Sequence, residues 1–266
     1  MQMKTKLWVG IGLCVTLGGA PLAVQAQDAH AGHQGHGAPA TAAEGGEGGE
    51  LGAFSDLSED QQLMGSLGLI RGHLHVGREL YTGGQASAAV PHFLHPAEEI
   101  YEVARPTLEA RKVGFDKQLD DLVSLARKNA PVADVAKALD NVEAALNKAE
   151  KTIAKGEVNK PSFLVPVITQ LLRTASDEYA AGFEDGRIVS PVEYQDGRGF
   201  YTIAKAYLKL LSPSIATQDP KGNSAAAMDR LGPVWATLVP PTGPATPPGE
   251  VSALVSNVEL AINRLR

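Results

Sequence analysis

The seven histidines of this 266-residue chain fall into two groups, and four of them, His73, His75, His92 and His95, lie within Ile70–Tyr101. Neutral imidazole is a ligand for zinc, copper and iron, so this density marks the stretch where chemistry is most expected. The segment reads as two antiparallel helices reversed at Gly83-Gly84. At about 1.5 Å of rise per residue, His75 and His95 fall roughly 10 Å from the turn on neighbouring helices, where they can face one gap. Glu79 follows His75 by one turn, and Glu98 and Glu99 follow His95 at i+3 and i+4, which puts carboxylates within reach of each ring. The spacing predicts a metal site between the two helices, with His75, His92 and His95 as ligands and Glu79 and Glu99 as auxiliary ligands or orienters. His73 shares a helical face with Leu69, Val76 and Leu80 and is assigned to packing.

The elements that must position these side chains are helical throughout. From Phe54 onward apolar residues recur at three and four, and strict alternation is absent. Ser58 and Gln61 form a capping box for the first helix, whose core stripe is Leu63, Leu67, Ile70, Leu74 and Tyr81. Gly65, Gly68 and Gly72 gather on another face, shared with His75 and Glu79, and open that face to a close neighbour. The second helix starts near Ser87, with a break or kink predicted at Pro96 and Pro106. Helices over about 115–128 and 133–153 complete the first half; the second has helices over about 161–183, 191–211, 224–238 and 250–265. Ser190-Pro191-Val192-Glu193 supplies an N-cap, an N1 proline and an N3 glutamate, and Glu184-Asp185-Gly186 a turn.

The two halves are related. DVAKALDNVEAALNKA, from Asp134, aligns without a gap on EVSALVSNVELAINRL, from Glu250, with six identities in sixteen positions. Leu69-Ile70-Arg71 likewise meets Leu171-Leu172-Arg173. The predicted architecture is all-α: two tandem, internally duplicated four-helix units, residues 54–157 and 158–266, packed together. In this register His75 meets Asp177; with one residue fewer in the second turn, His92 meets Glu193 and His95 meets Asp196. The counterpart set Asp177, Glu178, Glu193 and Asp196 suits a harder ion than the imidazoles do.

Residues 1–26 read as a cleavable secretory signal, with Lys4 and Lys6, an apolar run and the small-residue site Val24-Gln25-Ala26. The sole cysteine, Cys14, lies in that run, so the exported chain carries no thiol. Residues 27–53 are too poor in bulky apolar side chains to fold alone, and their His30, His33 and His36 form a flexible set able to wrap a metal ion. Loss of Lys4 and Lys6 takes the formal charge from −6 to about −8, which argues against a nucleic-acid partner. No later apolar run approaches about 20 residues, so no further bilayer span is expected. Nucleophile elbows, phosphate loops, dinucleotide fingerprints and haem-attachment motifs are absent.

SDEYAAGFEDGRIVSPVEYQDGRGFY, Ser176–Tyr201, resembles the extracytoplasmic helical region of high-affinity iron permeases, with its acidic-Tyr helix, Asp-Gly turn and second Glu-Tyr helix. The resemblance implies iron capture and points to Asp177, Glu178, Glu193 and Tyr194; permease membrane helices do not follow. A fainter likeness to imelysin-like periplasmic proteins rests on Gly72–Glu79, whose spacing differs from the Gly-x-His-x-x-Glu motif of that family. The resulting expectation is a periplasmic protein that binds or delivers a transition metal, iron first and then copper or zinc, alongside an envelope metal-transport partner. The alternatives are a metal-free helical interaction module and a carboxylate/His metal-dependent oxidase, the latter lacking the Glu-x-x-His pairs of such helices.

Overall fold

Ser58 opens the first helix, α1 (Glu59–Thr82), in the predicted capping box: its hydroxyl accepts the Gln61 N–H, and the Gln61 side chain accepts the Ser58 N–H at 3.1 Å. The computed structural model describes residue 50, residues 52–153 and residues 157–265; the predicted signal and His30, His33 and His36 lie outside them. Gly83 ends α1, and Gly84, at φ +80, turns the chain into α2 (Ala86–His95). No break follows at Pro96. With no N–H, Pro96 cannot donate to the His92 carbonyl, and the helix widens into a π-helical turn (Pro96–Ile100), closed by the Tyr101 N–H on the Pro96 carbonyl, before α3 (Tyr101–Ala110), which carries Pro106 inside it.

Then come α4 (Asp116–Arg127), α5 (Val132–Glu150) and α6 (Pro161–Ala181). The turn after α6 holds a departure from the purely helical expectation: β1 (Phe183–Glu184) and β2 (Arg187–Ile188) pair antiparallel across Asp185 and Gly186, both at positive φ. Two residues with φ > 0 are what a tight hairpin needs. The chain continues through α7 (Pro191–Ile215), α8 (Asn223–Leu231), a 3₁₀ turn (Gly232–Trp235), α9 (Pro248–Ile262) and a last 3₁₀ turn (Asn263–Leu265).

Helix α1 is the centre of the packing, with α2, α5, α6 and α7 against it; α6 and α7 lie along one another, and α9 covers α6. Glycines of α1 let neighbours in. A Cβ on Gly77 would meet the Phe93 ring of α2 at 2.3 Å, and Gly199 of α7 crosses Gly72 so closely that its own Cβ would lie 2.4 Å from the Gly72 carbonyl oxygen. The sequence repeat is mirrored in contacts: Arg71 pairs with Glu143 at 3.1 Å and Arg173 with Glu259 at 2.8 Å. The Tyr81 hydroxyl donates to the Ala130 carbonyl just before α5, as that of Tyr179 does to Thr246 just before α9. Among the described residues the chain is therefore all-α apart from one two-residue ladder.

Candidate metal centre

On either side of His73, the approaches at Gly72 and Gly77 draw α7 and α2 onto one face of α1. That face also carries Leu69, Val76 and Leu80, all buried, so it points into the interior. His73 is fully buried on it, edge-on to Phe200 of α7 with ring centroids 5.0 Å apart. Opposite it stand His92 of α2 and Asp196 of α7, both buried. The Nδ1 atoms of His73 and His92 each lie 2.7 Å from the same oxygen, Oδ1 of Asp196. One ligating atom from each of the three residues falls within 4.8 Å of the others.

The other ring nitrogen of each histidine is already engaged. Gln195 donates its amide nitrogen to the Leu238 carbonyl at 3.2 Å, which leaves its Oε1 facing His92 Nε2 at 3.0 Å. An amide oxygen only accepts, so Nε2 of His92 carries a proton, while its Nδ1 stands within hydrogen-bond distance of the Asp196 carboxylate at 2.7 Å. Glu50 Oε2 lies 3.5 Å from Nε2 of His73, whose Nδ1 has no hydrogen-bond partner despite its approach to Asp196. Two nitrogens and a carboxylate oxygen held this close need a positive charge among them, either a proton or a metal ion. Metal-ligating histidines typically donate their second N–H to a protein acceptor, the role Gln195 and Glu50 have here. The orphaned Nδ1 and the two-imidazole, one-carboxylate donor set fit a divalent transition metal, iron or zinc before a soft ion that prefers thiolates.

Charge around the centre agrees with a cationic guest. Burial disfavours protonated His73, yet Asp196 and then Glu50 outweigh it and hold its pKa well above the ordinary value. Burial would raise Asp196, but His73 and His92 hold it well below the usual carboxylate range. Glu178 of α6 is pushed up to about 9 by burial, then by Glu50 and Asp196, so its carboxyl stays protonated at neutral pH.

The remaining predicted residues distribute as follows. His95 sits at the rim, 23% exposed, with Nδ1 3.9 Å from Asp196 Oδ2. His75 does not enter the gap: two residues beyond His73, it is turned about 200° around α1 and stands 3.7 Å from Glu79, itself paired with Arg198. Burial first, then Arg198 and Arg78, hold its pKa low. Glu99 is half-buried on the π-helical turn, and Asp177 is exposed on α6 near Arg173. Glu193 is half-buried and receives the Ser190 hydroxyl at the start of α7. Of the residues singled out by spacing, His92 and Asp196 meet in this cluster; His73, assigned to packing, stands beside them, and Glu50 and Gln195 carry no spacing signal.

Fold and site together define a helical-bundle protein with a buried His/His/Asp cluster. Residues 154–265 match the iron permease-associated 4-helix bundle domain, which agrees with the resemblance read from Ser176–Tyr201 and links this half to iron-uptake permease systems. No curated protein and no solved structure matches the chain. The matched half supplies Asp196, Gln195 and Glu178; His73, His92 and His95 come from outside it. Among the described residues no helix is long and apolar enough to cross a membrane.

Proposed function

We propose that this chain is a periplasmic protein that binds or delivers a divalent transition metal, iron first and zinc or copper next, for an envelope uptake system. His73, His92 and Asp196 hold the ion as cargo, and Gln195 and Glu50 orient the rings. The observation that carries this reading is the convergence of two Nδ1 atoms on one Asp196 oxygen while the opposite ring nitrogens face acceptors. The match of residues 154–265 to an iron permease-associated domain supports iron as the first choice.

The test is metal titration of the mature chain carrying alanine at His30, His33 and His36, which removes the tail's competition and keeps Glu50. Anaerobic Fe(II), then Zn(II) and Cu(II), should each be followed by calorimetry and elemental analysis. About one ion per chain is expected, with His73→Gln or Asp196→Asn lowering affinity by at least about 100-fold. A chain that takes up none of the three metals leaves the metal-free helical interaction module as its function.

A further inference from the structure

The buried triad has no obvious way to exchange an ion. His73, His92 and Asp196 are all shut away from water, and an ion held among them must shed or regain its hydration shell on the way. His95 is the partly exposed histidine beside them. It lies three residues after His92, on the same face of α2, with 23% of its side chain exposed. Its ring stands edge-on to His73, with centroids 5.7 Å apart. The two oxygens of Asp196 divide the work: Oδ1 faces His73 and His92, and Oδ2 faces His95 Nδ1 at 3.9 Å. That distance is too long for a hydrogen bond, and it spans the separation of two ligands on a shared ion.

The backbone holds His95 at the point where the helix changes gauge. It is the last residue of α2 and the N-cap of the π-helical turn, immediately before Pro96. A π-helical turn inserts extra girth into a helix and recurs at functional sites because it re-aims side chains. Here it separates the rim histidine from Tyr101 and the regular α3 beyond.

We infer that His95 is a transfer ligand: it takes a divalent metal ion from solvent together with Asp196 Oδ2, passes it to the His73–His92–Asp196 triad, and serves the same step in reverse on release. Each transfer exchanges one bound water or one imidazole for another donor on the ion, with no change in oxidation state. The role rests on the metal-binding reading above and adds to it a division between ligands that retain the ion and one that moves it.

Co(II), whose visible absorption reports its ligands, is the probe. The full mature chain with alanine at His30, His33 and His36 is mixed with Co(II) in a stopped-flow spectrometer, and the loaded protein is then challenged with EDTA. His95→Ala should reach the wild-type stoichiometry while loading and releasing Co(II) about tenfold more slowly, the effect of one lost contact in the barrier. His95→Gln, which keeps polarity at the rim, should show the same slowing, with circular dichroism checking that both variants are folded. Wild-type rates in both directions for either folded variant overturn the transfer role. Loss of Co(II) binding in both overturns it too, since His95 would then be a resident ligand. If the parent chain itself takes up no Co(II), it is the metal-binding reading that fails, and this inference with it.

Discussion

His73 is packed as its helical face predicts, and it also carries a polar ring into the interior. The helical wheel grouped it with Leu69, Val76 and Leu80, and such a stripe is ordinarily filler. The stripe is also the one face that excludes water, so an imidazole on it must find a partner or a charge. His75 lies on the wetter face of the same helix. His92 stands out from the spacing of the hairpin, and Asp196 from its place opposite His95 in the repeat. Glu50 and Gln195 act only through the rings they touch, a role that no spacing reveals. At this scale the protonation states make a prediction for the metal-free chain. The folded pKa of Glu178, about 9, and that of His73, well above its ordinary value, both exceed those of the unfolded chain. The folded state therefore keeps protons the unfolded state would release, and stability falls as pH rises from about 5 towards 9. Asp196, depressed in the fold, contributes stability that is lost only in acid, below the ordinary range of about 4. Urea midpoints of EDTA-treated protein should decline across that alkaline window, and Glu178→Gln should flatten the decline. A wild-type profile that is level or rising would contradict these assignments.

For the helices, periodicity and caps located α1, α4, α5, α6 and the start of α7 to within a few residues. What it could not give was how closely they approach. Gly72 was recognised as part of a small-residue face, but its partner, Gly199, belongs to a helix 127 positions further along and follows no local rule. Gly199→Ala places a methyl 2.4 Å from a backbone oxygen, and neither backbone can yield as a flexible side chain would. The helices must part, at a cost of about 1–3 kcal/mol by analogy with overpacked cores. Asp196, one turn earlier on α7, would move with them. The variant should therefore lose both stability, measured by denaturant titration, and metal affinity, measured by calorimetry; a normal affinity would show that the crossing does not position the site. The continuous passage through Pro96 was also hidden, because a π-helical turn accommodates the missing N–H that spacing rules treat as a stop.

Over the whole molecule, the duplication is legible in sequence and repeated in contacts, yet the copies have diverged in burial. Arg71 and Arg173 occupy matching positions and bind matching glutamates, Glu143 and Glu259. Arg71 is 11% exposed and also reaches Glu150, whereas Arg173 is 54% exposed. Burial is what makes breaking an ion pair costly. Arg71→Ala should cost about 1–3 kcal/mol, through the packing of its buried stem and the loss of its pairs with Glu143 and Glu150. Arg173→Ala should cost less than about 1 kcal/mol. Equal losses in urea denaturation would mean that the halves bear load alike.

The triad draws its imidazoles from one half and its carboxylate from the other, and His92 and Asp196 stand 104 residues apart in the chain. An ion gripped by both would act as a removable clasp across a long loop, slowing every opening that starts by separating the halves. Occupancy would then govern lifetime: a metal-loaded chain should outlast the metal-free one under proteolysis.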